Sequence, residues 1–127
     1  MKVVHIHQDY PDGRDFPNTK AVSSLIAASR RAEPTIEHFV VSIHRTSNPL
    51  KISIENFDDG VSIVYWALPL PYIYKPFIWL WAQIIAFKLQ GQKFDLIHGH
   101  KLTTEGLFSY FLSIKLGIPY CLSIRGG

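Results

Sequence analysis

Apolar and polar positions alternate along this chain in short blocks, with the period switching between two and about 3.6 residues. Residues 3–7 (Val3, Val4, His5, Ile6, His7) predict a first strand. Residues 8–17 hold two prolines, one glycine and three aspartates, and read as a loop. Asn18 suits the N-cap of a helix reaching about Arg31, with Ala21, Val22, Leu25, Ile26 and Ser29 at helical spacing. Residues 37–44 predict a second strand. Residues 49–57 set Ile52 and Ile54 among polar neighbours, as an edge strand does. Residues 58–60 form a turn and 61–66 another strand. Residues 68–76, rich in proline and tyrosine, predict a loop. Pro76 then opens a helix to about Gln90, because proline is tolerated in a first turn. Residues 94–98 predict a strand, 103–116 a helix closed by Gly117, and 119–124 a short buried strand.

Strands alternating with helices in this order imply an α/β domain. The expected form is a doubly wound, mostly parallel sheet with helices on both faces. No internal repeat interrupts it. At 127 residues the chain fits one domain with a real core. Arg125-Gly126-Gly127 reads as the start of a strand-to-helix loop, so a partner domain is expected beyond it.

Composition narrows the class. Hydrophobic residues make up 47% and charged residues 18%, which suits a folded unit rather than disorder. A net charge of +3, with the positives scattered, argues against a nucleic-acid partner. The single cysteine, Cys121, sits in an apolar run and is expected to be a small core residue. The first residues are too polar for a secretory signal, and no apolar stretch reaches the ~20 residues that span a bilayer. The expected location is cytoplasmic, with room for peripheral contact at the inner membrane face.

The candidate chemistry lies in two histidine pairs, His5 with His7 and His98 with His100. Spacing of two puts each pair on one face of its strand. If the first strand and the 94–98 strand are neighbours, His7 and His100 meet at the carboxyl-end crevice. His5 and His98 read best as hydrogen-bonded, half-buried strand residues. His100, with or without His7, is the candidate for substrate binding or proton transfer. No metal is expected, since no nearby cysteine or ordered carboxylate completes a ligand set.

The loop from Asp9 to Asn18 is the second candidate. It is either an acceptor-binding or lid-like loop or an ordinary surface connection. Gly13 gives flexibility, and Asn18 and Lys20 lie where free helix N–H groups attract anions. It lacks the glycine pattern of a dinucleotide site. Thr103, Thr104 and Glu105 suit the start of a helix, and Gly106 suits close packing on the sheet. The segment from Tyr65 to Trp81, including the stretch Tyr72 to Trp81, is strongly aromatic, and on a helix from Pro76 apolar residues occupy nearly every face until Lys88, interrupted only by Gln83. That fits core or interdomain packing, or contact with lipid or a lipid-linked substrate.

Three stretches carry a family resemblance: Met1-Lys-Val-Val-His-Ile-His-Gln-Asp-Tyr-Pro11, Phe94-Asp-Leu-Ile-His-Gly-His100 with Gly106, and Leu116-Gly-Ile-Pro119 with Leu122-Ser-Ile-Arg-Gly126. Together they resemble the N-terminal domain of GT-B glycosyltransferases of the family 4 type, over essentially the whole chain. The resemblance implies a Rossmann-like domain holding the acceptor, with the nucleotide sugar held by a C-terminal domain not in this chain. It implies sugar transfer to a carbohydrate or lipid-linked acceptor, no cofactor beyond the nucleotide-sugar donor, and no turnover by residues 1–127 alone. His100 matches the second histidine of the His-x-His signature and is carried over as a cleft residue. His7, Tyr10, Gly13, Asn18, Lys20, Arg125 and Gly126 complete the expected substrate-binding set. Two departures stand out. The first loop has no Gly-Gly pair, and Arg125 replaces the usual histidine; it can bind phosphate but cannot act as a base at neutral pH. The alternative reading is a stand-alone ligand-binding or interaction module without sugar chemistry.

Overall fold

The computed structural model describes residues 1–8, 10, 21–67, 71–100 and 104–123. Among these, β1 (Lys2–His7) precedes α1 (Ala21–Ala32) and β2 (Glu37–Thr46). Next come β3 (Ser53–Phe57), β4 (Gly60–Trp66), α2 (Pro71–Lys88), β5 (Leu96–Gly99), α3 (Thr104–Leu116) and β6 (Tyr120–Leu122). The chain is therefore α/β, with elements in the expected order.

All six strands join one sheet in the order β3-β4-β2-β1-β5-β6. Only β3 runs antiparallel, against β4; the other pairings are parallel. From β1 the chain builds outward through β2 to β4, then crosses back to place β5 on the other side of β1. The order reverses between β1 and β5, which is where open α/β sheets leave a crevice at their carboxyl ends.

The strands β1 and β2 alternate between two environments. Val4, Ile6, Val41 and Ile43 join a large apolar cluster with Ile78, Ile85, Phe108 and Leu112 from α2 and α3. Val40 instead joins Tyr10 and the α1 residues Val22 and Ile26, against which Phe57 packs. Each fully buried side chain of this size contributes roughly 1.5–3 kcal/mol.

Three expectations need correction. Helix α2 begins at Pro71, so the loop predicted for 68–76 is helical from there on, and Pro76 lies inside the helix. The proline removes one backbone bond, to the Tyr72 carbonyl near the helix start, and side-chain anchors offset it. Tyr74 shares a 2.5 Å hydrogen bond with Thr104 of α3, and Trp81 donates to the Trp66 carbonyl at 3.0 Å. The edge strand expected over 49–57 starts only at Ser53. Asn48 accepts from the Leu50 N–H, and Pro49–Lys51 makes one 3₁₀ turn first. Finally, β6 is three residues long and exposed at Tyr120 and Cys121, so Cys121 is not a core residue. Among the described residues it lies on an edge strand of the sheet, paired with β5.

No helix among the described residues is long and apolar enough to cross a membrane.

Candidate functional site

The chain has six histidines: His5, His7, His38, His44, His98 and His100. Five lie on strands, and their register brings them to one face of the sheet. His5 pairs with His98 on β5 and with Val40 on β2, while His7 pairs with Ser42. His38 and His44 share the parity of Val40 and Ser42, so they face the same way. His100 stands one residue past β5, where its N–H donates to the Ile6 carbonyl at 3.2 Å. The opposite parity holds the apolar residues Val4, Ile6, Val41, Ile43 and Ile97. The Val-His-Ile-His rhythm of β1 thus sorts imidazoles from aliphatic side chains.

A continuous chain of imidazoles runs across this face. Nε2 of His5 is 2.9 Å from Nδ1 of His38, and Nδ1 of His5 is 2.9 Å from Nε2 of His100. His98 stacks on His100 with ring centroids 4.0 Å apart. His7 meets the edge of His100 at 5.5 Å. His98 in turn holds Ser123 through Nε2 at 2.5 Å, and Ser42 lies 3.3 Å from Nε2 of His44.

Burial sets the protonation state. His5, His7 and His100 are buried. The pKa of His5 is pushed down to about 3, first by burial and then by His98, His38, Arg30 and His7. His38 is lowered as well, by burial and then by Arg30. His5 and His38 are therefore neutral at pH 7, each with one N–H and one lone pair. The arrangement can hold and pass protons, orient a ligand at the crevice, or supply nitrogen donors.

Of the expected site residues, the structure brings His7 and His100 together at the carboxyl ends of β1 and β5. Tyr10 sits apart from them. It is buried against Phe57, and its hydroxyl donates to Asp59 at 2.6 Å, which also meets Arg30 at 3.3 Å. Gly13, Asn18, Lys20, Arg125 and Gly126 lie outside the described residues. Sequence reasoning missed His38 and Ser123. His38 is readable by parity once β2 starts at Glu37, but only the parallel register sets it beside His5. Glu105, expected at an ordinary helix start, is fully buried in the first turn of α3.

Gly99 supports this corner. A Cβ there would sit 2.5 Å from Ser109 Oγ and 2.7 Å from Leu122 Cδ2, so its absence lets α3 close on β5. Among the described residues, two open hollows are notable. One of about 360 Å³ runs between α2 and α3, lined by Trp79, Gln83, Tyr110, Phe111, Ile114 and Lys115. Another, of about 510 Å³, lies by Lys2, Arg30 and His38.

No protein-family model matches this chain. Comparison with curated proteins gives no match either.

Proposed function

We propose that this chain is the acceptor-side, N-terminal domain of a family 4-like GT-B glycosyltransferase, working with a C-terminal domain that holds the nucleotide sugar. The observation that carries this reading is the meeting of His7 and His100 at the carboxyl ends of adjacent parallel strands, where the sheet order reverses. Ligands of such sheets bind at that edge. The Asp-x-x-His-x-His run, from Asp95 to His100, is the family-like signature, and its second histidine faces that edge. The sheet is read as Rossmann-like and doubly wound, with α1 on one face and α2 and α3 on the other. The two separate apolar clusters support this.

In this reading His100 orients the acceptor hydroxyl or accepts its proton. In the same reading the cationic side chain of Arg125 stabilises the leaving diphosphate. The donor is a nucleotide sugar, and no further cofactor or nucleic acid takes part. The setting is cytoplasmic. A peripheral membrane contact through the Tyr72 to Trp81 stretch is supported by the exposure of Ile73, Trp79 and Leu80.

The test is sugar transfer by the native gene product carrying this domain, from UDP- and GDP-sugars to saccharide and lipid-linked acceptors. His100→Ala is expected to lower kcat/KM by roughly 100-fold or more, as loss of a general base does. Unchanged transfer by a folded His100→Ala protein removes that role. Transfer by residues 1–127 alone overturns the two-domain assignment.

A further inference from the structure

We propose that His5, His98 and His100 form a binding site for one divalent ion of borderline softness, with zinc the best fit. Each offers one ring nitrogen, and the three atoms lie within 4.8 Å of one another. One pair, His5 Nδ1 and His100 Nε2, is 2.9 Å apart. Tetrahedral zinc with Zn–N bonds of ~2.0–2.1 Å needs nitrogens roughly 3.4 Å apart, which this range brackets. Small ring rotations suffice.

The donor set selects the ion. All three ligands are neutral nitrogens, which suits zinc and its neighbours and not magnesium or calcium, which need oxygen. Ring orientation is already supplied. A metal-bound imidazole normally engages a partner through its other nitrogen. His5 does so through Nε2 to His38, and His98 through Nε2 to Ser123. In the metal-free contact, one proton lies between His5 and His100. The ion takes its place: the proton moves to the other nitrogen of the ring that carried it, and where that ring is His5, His38 shifts its own proton from Nδ1 to Nε2 so as to accept from His5.

Three protein ligands would leave the fourth tetrahedral position to a water or another donor. The site does not depend on the sugar-transfer reading. It alters that reading in one respect: Nε2 of a metal-bound His100 cannot accept a proton, leaving His7 as the remaining imidazole at the crevice.

The test is calorimetric titration of EDTA-treated protein with Zn²⁺ alone, repeated with Mg²⁺. One equivalent of Zn²⁺ is expected to bind, with no heat from Mg²⁺. His98→Gln and His100→Gln should each weaken binding by about 100-fold, the upper range seen even for lost supporting residues. His44→Gln, on the same face but outside the cluster, should match wild type. Circular dichroism checks each fold. Imidazole ¹⁵N shifts of wild type give a second measurement that needs no variant: His5, His98 and His100 should move on zinc addition and His44 should not. Absence of stoichiometric binding overturns the site. So does full binding by folded His98→Gln and His100→Gln, or a zinc shift confined to other histidines.

Discussion

Nδ1 of His5 and Nε2 of His100 meet at 2.9 Å, a buried contact that fastens the middle of β1 to the residue just past β5. Removing one partner leaves the other nitrogen buried without its bond. His100→Ala should therefore destabilise the metal-free protein by about 1–3 kcal/mol, beyond any effect on activity. His100→Gln retains a polar group and should recover part of this. Urea unfolding in EDTA checks it: equal midpoints for the two variants would show that the contact contributes nothing specific.

Tyr10 gives a pH prediction. Burial, and then the hydrogen bond to Asp59, raise its phenol pKa above the ordinary value. A raised folded pKa means that the contribution is present below the unfolded value near 10 and lost as pH climbs through the folded one. Tyr10→Phe should cost about 1.5–3 kcal/mol at pH 7, typical of a hydrogen bond to a carboxylate. The gap between wild type and variant should hold to about pH 9 and shrink above pH 10. A gap unchanged at pH 11 would contradict the assignment of that bond.

Gly99→Ala probes the seam between α3 and β5. The added methyl meets Ser109 Oγ at 2.5 Å, Leu122 Cδ2 at 2.7 Å and the Glu105 carbonyl at 3.2 Å. Overpacking of this kind typically costs about 1–3 kcal/mol. Gly99→Ala combined with Ser109→Ala should regain part of the loss, because the nearest clash is with a side chain. Additive losses in the double variant would place the strain elsewhere.

Trp79 and Trp81 lie two residues apart on α2 yet differ in burial: Trp79 is 50% exposed and Trp81 only 7%. Trp81→Ala should cost about 3–5 kcal/mol through cavity formation, and it also loses the bond to the Trp66 carbonyl. Trp79→Ala should fall within about 0.5 kcal/mol of wild type. Flotation with anionic liposomes then tests the exposed face. Wild type should float and Trp79→Glu should not; equal behaviour would remove membrane contact from the proposed function.

The linear pattern alone established the succession of strands and helices, because periods of two and 3.6 are local properties of the chain. It also separated the His from the aliphatic positions of β1, since alternation needs no knowledge of neighbours. The early start of α2 was hidden because Pro71 and Pro76 read locally as breakers, whereas Tyr74, near the start of the helix, is held by Thr104, distant in sequence. The exposure of Cys121 was hidden for a similar reason: an apolar run looks the same at the centre of a sheet and at its last strand. The histidine cluster was legible in part. His98 and His100 were recognisable as a pair, and so were His5 and His7, but their union was not. Residues 5, 38 and 98 are separated by dozens of positions, and only the parallel register of β2, β1 and β5 sets them side by side. Residue types and local periodicity set which groups are available and which way they point. Strand order and register, decided by burial summed over the whole chain, determine which of them touch.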